Sequence, residues 1–530
     1  MATIGIAFGN STTSFATIKD GKVDVIANPD GERFISSTLS YVDGDEYHGQ
    51  QALAQVVRSP RSTIVNFRDF IGVSFAEINA QYSKYAAHPI ELNGKVGYEI
   101  NGNKISIDEV VKRHLKQIKN AAEDYLGQSI ESVVITVPTN FSEAQKKDLT
   151  RIAGEAGLKV KQLIHEPTAA LLAHLSNKEQ LLEDKIYVVA DFGGIRSDAA
   201  VVSVRGGVMT LLATEHSTQL SGAELDETLI DFFAADFQKK FKADAKKTEK
   251  SYSKLAAASI ITKKTLSNIQ TANVSVDSLA EGFDYMSSIN RLRFELVGRK
   301  VFSEMLQFVE TVVKKAGLEP LDIDSVLLVG GTSNIPKVAS TLSLLFPEST
   351  EIYAPSVDSK LPNPNELNCR GAAIQASLIA SFDDEEIAES LQPIVVNTEH
   401  IQQPIGIKDT EGKFLTILSK ETAYPIKKAI SFTSTSDNVE IEFYEGKRTI
   451  KETVVEAEQY SDEEEDSEEE EPETIKEVEY VPGTLLGKMV LTGAKSGNKV
   501  DVIIQIDREG KMHLTGRSGD AVVKGEVSQA

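Results

Sequence analysis

The strongest constraint on this chain is that it contains one short pattern twice. Ile4–Ile18 and Val188–Val202 each read apolar strand, Phe-Gly, short turn, apolar strand. Set one over the other, Phe8-Gly9 falls on Phe192-Gly193, Ala7 on Asp191 and Asn10 on Gly194. A repeated unit dictates architecture before any local propensity does. Each copy predicts a β-hairpin whose tip uses the backbone freedom of glycine. The second copy, Tyr187–Val202, adds a carboxylate. Asp191 ends a strand apolar enough to be buried, and a buried charge needs a cation or hydrogen bonds. Bare amides at a glycine-rich tip suit phosphate oxygens. Gly193-Gly194 alone is equally the mark of an ordinary hairpin turn. Two such hairpins across a cleft, however, would hold a polyphosphate from both sides, with Asp191 in reach of a metal through water.

Between and after the hairpins the pattern is alternating strand and helix. Val133–Val137 predicts a buried strand stopped by Pro138, and Ser142 caps a helix that runs through Ala156. Ile107–Tyr125 has helical spacing and opens at Asp108, read as its N-cap. Val160–Ile164 delivers His165-Glu166-Pro167-Thr168 to its C-terminal end, where ligands collect in open α/β sheets. Glu166 there fits either a helix-start carboxylate or a catalytic group. A long helix is expected from Asp226 and a basic one around Lys263-Lys264. Val326–Val329 runs into Gly330-Gly331-Thr332 and a helix with Pro336 in its first turn, which presents amides at a positive dipole end. From Gln392 onward, short alternating strands with frequent turns predict an all-β sandwich. The expected division is a two-lobed unit 1–381, an acidic linker 382–398, and a sandwich 399–530 with a disordered acidic insert 456–479.

Charge limits the partners. The net charge is −23, and Asp462–Glu473 alone holds ten acids and no base, so the remainder is still acidic. Such a surface suits neither direct nucleic-acid binding nor an anionic membrane, both of which need clustered Lys and Arg. The single cysteine, Cys369, excludes an intramolecular disulfide and fits a reducing compartment. No secretory signal or membrane-length apolar run is read. The eight histidines lack metal-ligand spacing.

With these elements placed, the chain resembles the heat-shock protein 70 chaperone family. The matching segments are Phe70-Ile71-Gly72, Val137-Pro138, Glu166–Ala170, Asp191–Gly194, Lys263–Ser267, Gly330-Gly331, Tyr444-Glu445-Gly446 and Leu485–Lys488. The resemblance implies an actin-like α/β fold, ribonuclease H-like and duplicated, with ATP and Mg2+ between two lobes and a peptide-binding β-sandwich behind. It carries over as nucleotide contacts Gly9, Asn10, Ser11, Gly193, Gly194, Ile195, Lys263, Lys264, Ser267, Gly330, Gly331, Thr332 and Asn334. Arg68, Glu166, Asp191 and Asp198 fall on the family's catalytic positions.

The departures from the family pattern cluster at those positions. The family's Asp is here Ala7, its catalytic Lys is Arg68, and its Gly-Gly-Gly-Thr loop is Gly193-Gly194-Ile195-Arg196. An adenine-contacting Glu becomes Ile260, a ring-stacking Arg Asn334, and an Asp Asn365. Arg is no neutral exchange for Lys, and losing one positioned group costs ~10²–10⁴-fold in phosphoryl transfer. The expectation is a chain that binds ATP and hydrolyses it poorly or not at all. The family's leucine-rich linker and lid helices find no counterpart before residue 530. These features are similar to the atypical branch of the family found in the ribosome-associated complex. That likeness implies a stable heterodimer with a zuotin-like J-domain protein, a cytoplasmic location, and indirect contact with ribosome and nascent chain. It also implies stimulation of a second, active heat-shock protein 70. The competing readings are an active foldase and a nucleotide-exchange factor.

Overall fold

The structure, a computed structural model, describes residues 2–78, 86–176, 183–390, 399–409, 411–455 and 473–527. The first hairpin is β1 (Ala2–Phe8) and β2 (Thr12–Lys19), followed by β3 (Lys22–Val25), β4 (Ile130–Val137) and β5 (Lys159–His165). They form one sheet in the order β5-β4-β1-β2-β3, with β1 parallel to β4 and antiparallel to β2. The second hairpin is β6 (Lys185–Phe192) and β7 (Ser197–Arg205), followed by β8 (Val208–Ser217), β9 (Ser325–Val329) and β10 (Glu351–Tyr353). Its sheet runs β10-β9-β6-β7-β8, the same order with the same parallel and antiparallel neighbours. The registers coincide as well: Phe8 pairs with Thr13 as Phe192 pairs with Ser197, and Ala7 with Ser14 as Asp191 with Asp198. The duplication legible in the sequence is thus a duplication of topology, and the expected two-lobed, actin-like α/β architecture is what the chain adopts.

The central strands are apolar on both faces because helices cover both. Helices α1 (Ile107–Leu126) and α2 (Glu143–Glu155) pack on lobe 1, and α3 (Glu166–His174) follows β5. In lobe 2 stand α4 (Gly222–Phe241) and α5 (Glu249–Asn268), and α6 (Leu367–Leu378) comes after β10. Two helices are exchanged between lobes. Ala170 and Leu171 of α3 pack with Tyr187, Val189 and Val202 of lobe 2. Cys369 and Ala373 of α6 pack with Ala7 and Ala16 of lobe 1. Helix α6 passes so close to α3 and to β1 that a Cβ on Gly371 would lie 1.7 Å from the Ala169 carbonyl oxygen, and one on Gly5 would lie 2.1 Å from the Ala373 nitrogen.

Several boundaries differ from expectation. Helix α1 is capped by Ser106, whose Oγ accepts from the Glu109 amide at 3.3 Å, while Asp108 lies inside its first turn. Helix α4 begins at Gly222 rather than at Asp226, with no side-chain cap. Its first amides are satisfied instead by the second hairpin: Gly222 N donates to the Gly193 carbonyl at 3.0 Å and Ala223 N to that of Gly194 at 2.8 Å. Within the expected linker, α7 (Asp384–Ser390) is helical, buries Ile387 against lobe 1 and binds Lys159 and Lys161 through Asp384. The rest of that linker, 391–398, lies outside the described residues.

The C-terminal unit is the expected sandwich. Strands β11 (Ile405–Lys408), β12 (Phe414–Leu418), β14 (Asn438–Val455) and β15 (Glu473–Thr492) form one sheet, in the order β12-β11-β14-β15. Strands β13 (Ile426–Thr433), β16 (Lys499–Ile506), β17 (Met512–Ser518) and β18 (Ala521–Val527) form the other. Their inward residues, among them Ile407, Phe443, Val502 and Leu514, make its core. The expected insert 456–479 is too long at its C-terminal end, because 473–479 pairs with 449–455 in a two-stranded ribbon. Residues 456–472 lie outside the described residues. The sandwich rests on the end of the β6–β7 hairpin away from its glycine tip. There Arg205 Nε donates to the Lys420 carbonyl at 2.9 Å, Ser203 Oγ to that of Glu421 at 3.3 Å, and Lys428 Nζ pairs with Asp184 at 3.1 Å. Arg448 adds ion pairs to Glu319 at 2.8 Å and Asp322 at 3.0 Å. No helix among the described residues is long and apolar enough to cross a membrane.

Candidate functional site

The two hairpin tips close in the same way, with Gly9 N donating to the Thr12 carbonyl at 3.1 Å and Gly193 N to that of Arg196 at 3.0 Å. They meet across the cleft: a Cβ on Gly194 would lie 2.3 Å from Ser11 Oγ. Inside the cleft mouth, Asn10 is buried, its Oδ1 accepts from the Asp69 amide at 3.1 Å, and its Nδ2 has no partner among the described residues. An unpartnered buried donor between two glycine tips fits an anionic ligand.

A lattice of buried ion pairs stands beside the tips. Arg68, on a short 3₁₀ turn after Phe67, donates from Nη1 to Glu166 Oε1 at 2.7 Å and to the Phe8 carbonyl at 3.1 Å, and from Nε to Asp69 at 2.9 Å. Its guanidinium carbon lies 5.5 Å from the centre of the Phe141 ring. Arg196 donates from Nε to Asp198 Oδ2 at 2.7 Å, from Nη1 to Asp69 Oδ2 at 2.9 Å and from Nη2 to Asn140 Oδ1 at 3.0 Å. Burial opposes ionisation of Asp69, but Arg68 and Arg196 outweigh it and hold the carboxyl well below the usual range. Burial likewise works against both arginines, and their carboxylate neighbours keep them firmly charged. Glu166 is pushed upward by burial, against the pull of Arg68. Asp191, pressed by burial and by Glu166 and Asp198, is raised to about 7, with Asn368 Nδ2 donating to it at 3.1 Å.

The carry-over residues divide into groups. Arg68, Glu166, Asp191 and Asp198 converge with Asp69, Arg196, Asn140 and Asn368. Lys263 faces another buried acid instead, pairing with Asp226 at 2.7 Å and donating to the Gly222 carbonyl at 2.7 Å. Burial pushes Asp226 up while Lys263 pulls it down. Thr332 joins that corner, its Oγ1 donating to the Gly193 carbonyl at 3.0 Å. Ser267 Oγ donates to the Lys263 carbonyl, Asn334 Nδ2 donates to the Gly331 carbonyl, and Lys264 is exposed. Gly330 has a φ of +83°, and a Cβ there would lie 2.3 Å from Asp191 Oδ1 and 2.5 Å from the Phe192 carbonyl oxygen. Glycine is demanded there by the close approach of the chain just past β9 to the end of its parallel neighbour β6, not by ligand approach alone. Asp69, Asn140, Asn368 and Asp226 have no site role legible in the sequence, because each gains it through a contact far along the chain. Proximity to Arg68 and to Val137-Pro138 was the signal for the first two.

The arrangement offers hydrogen-bond donors to an anion rather than a cluster of metal ligands. Among the described residues, no three His, Cys, Asp or Glu side chains gather to ligate a metal. Glu166 and Asp198 already hold arginines, which leaves Asp191, without a cation, as the carboxylate a water-bound ion would meet.

The Hsp70 protein profile matches residues 3–462. The chain belongs to the heat-shock protein 70 family. Among its relatives within that family, it is 48% identical to the ribosome-associated complex subunit SSZ1 of Saccharomyces cerevisiae, covering 99% of each chain. It is 43% identical to a heat shock protein 70 homologue of Schizosaccharomyces pombe, over 98% of this chain and 94% of that one. Heat shock 70 kDa protein 14 of Mus musculus is 31% identical, over 85% and 89%.

Proposed function

We propose that this heat-shock protein 70 is a non-cycling chaperone subunit that holds ATP as a structural ligand and hydrolyses it poorly or not at all. The carrying observation is the ion-pair lattice. Arg68 engages Glu166 and Arg196 engages Asp198, so the acids that would orient water or metal are already bound by fixed guanidinium groups. Bound ATP would supply a polyphosphate for the donors at the two glycine tips to hold. The residues fit it through the unpartnered Asn10 Nδ2 and the tips around Gly9, Ser11, Gly193 and Gly194. Catalysis of phosphoryl transfer rests on positioning and on charge placed where it develops. A planar, doubly engaged guanidinium at position 68 does neither for an attacking water.

The near-full-length likeness to a subunit of the ribosome-associated complex supports the same assembly here. In it, the chain forms a stable heterodimer with a zuotin-like J-domain protein, in the cytoplasm at the ribosome. It helps stimulate the ATPase of a second, active heat-shock protein 70 that handles nascent chains, and the sandwich is the docking surface for the J-protein. The acidity of the chain supports a reading in which the partner, rather than this chain, contacts ribosomal RNA. Two measurements test the reading. Calorimetry with ATP must show binding, while single-turnover phosphate release by the purified chain stays at background. Release that Arg68→Ala abolishes would make the chain an active foldase and overturn the proposal. Copurification from cells must return a J-domain chain in equal amount.

A further inference from the structure

The turn of the second hairpin reaches out of its own lobe. Ile195 and Arg196 belong to lobe 2 by chain position, yet the Ile195 side chain packs on the core of lobe 1. Arg196 is 7% exposed, and two of its three guanidinium nitrogens bond lobe 1: Nη1 meets Asp69 at 2.9 Å and Nη2 meets Asn140 at 3.0 Å. Its Nε donates to Asp198 Oδ2 of its own lobe at 2.7 Å, and Nη2 is shared between Asn140 and the other oxygen of Asp198. Asp69 in turn takes Arg68 on its other oxygen at 2.9 Å and Asn10 on its amide at 3.1 Å. One carboxylate of lobe 1 is therefore shared by an arginine from each lobe. The Gly194–Ser11 approach adds a close contact with no room for a side chain.

We infer that Ile195 and Arg196 are an interlobe bolt, which keeps the cleft closed whether or not nucleotide is present and makes nucleotide exchange slow. Opening the cleft breaks two charge-assisted hydrogen bonds and exposes more of an apolar side chain that is otherwise half-buried. The bolt differs in kind from a peripheral polar contact between the lobes, Arg61–Glu249 at 3.5 Å. Those side chains are 85% and 64% exposed, and an ion pair so hydrated holds little. The exchanged helices α3 and α6 join the lobes through apolar packing and leave the hairpin tips to be fastened separately. Retention of the ligand rests on the proposed ATP site, whereas closure of the empty cleft does not.

The test uses the full chain with spin labels at Lys104→Cys on lobe 1 and Lys250→Cys on lobe 2, both exposed positions. Cys369 is buried and stays unlabelled. The expected interlobe distance distribution of the parent chain is the same without nucleotide and with ATP. In Ile195→Gly/Arg196→Thr the nucleotide-free distribution broadens to longer distances. Release of a fluorescent ATP analogue from that variant accelerates at least about tenfold, since removing one partner of a buried charged pair acts mainly on dissociation. Asn140→Ala, which weakens the bolt from lobe 1 without removing a charge, gives a smaller broadening and covers the case in which the double variant fails to fold. A parent chain that opens as widely as the variants when nucleotide is stripped overturns the inference, as does a variant that stays closed. Absence of ATP binding in calorimetry overturns the proposed nucleotide site, and the nucleotide-free distance comparison still decides the bolt.

Discussion

Removing the guanidinium of Arg68 while leaving Glu166 in place strands a buried carboxylate. The Arg68 side chain is 4% exposed and that of Glu166 9%, and their contact is 2.7 Å. Arg68→Met keeps much of the volume, so the loss falls on charge and hydrogen bonding rather than on a cavity. Breaking a buried pair from one side costs about 3–5 kcal/mol. Spread over a two-lobed unit of this size, with roughly 1–3 °C per kcal/mol, that lowers the melting temperature by about 3–15 °C. Arg68→Met/Glu166→Leu removes both charges together and loses much less, giving a coupling of at least about 2 kcal/mol in a double-mutant cycle. The deficit of the single variant also depends on pH. Without Arg68, burial raises Glu166 further above its unfolded value, so the folded state keeps the proton while the unfolded chain gives it up. The folded form is then most favoured below the unfolded value and loses stability as pH rises, so the deficit is smaller at pH 5 than at pH 8. Thermal unfolding followed by circular dichroism at both pH values measures all four proteins. A cycle additive within about 0.5 kcal/mol, or a larger deficit at pH 5, refutes the reasoning.

Asp191 has the same sign. Its carboxyl is raised to about 7, so its contribution to stability is present below the ordinary carboxylate range, is lost as pH rises toward 7, and is flat above. Asp191→Asn removes that slope, and its stability relative to the parent, read from melting temperatures, should climb between pH 4 and 7 and then level. Gly330→Ala should abolish nucleotide binding in calorimetry and lower the melting temperature, because its Cβ meets Asp191 and the Phe192 carbonyl; unchanged affinity would displace the pocket from this strand end. Cys369 is fully buried and its thiol is pushed up to about 12 by burial, so a thiol reagent should react with the denatured chain and not with the native one.

The duplicated hairpins were legible because their signal is local: a strand pattern of period two broken by Phe-Gly. Strand ends and the Ser142 cap were legible for the same reason, the latter as a full capping box with Gln145. The start of α4 was not, since its first amides are satisfied by carbonyls of the hairpin tip rather than by a side chain. Residues 473–479 were read as part of a disordered insert because Glu473, Glu477 and Glu479 hide an alternation that only the pairing with 449–455 reveals. At the site, the exchanges at Arg68 and Arg196 were visible, but their meaning was not. Nothing local says that both arginines share Asp69, or that Asn140 and Asn368 complete the lattice. Ile195 stood among the cofactor contacts, and the structure packs its side chain on the lobe 1 core.

The β6–β7 hairpin is held at both ends. Its tip is fastened by Asp69 and Asn140, and its opposite end carries the sandwich through Arg205, Ser203 and Asp184. At ~3.3 Å per residue, these anchorages stand roughly 25 Å apart along a twisted ribbon that does not compress. A rod pinned at each end has no stroke. It would brace the sandwich at one attitude, so the J-protein proposed to clasp it would meet one preset shape instead of a moving target.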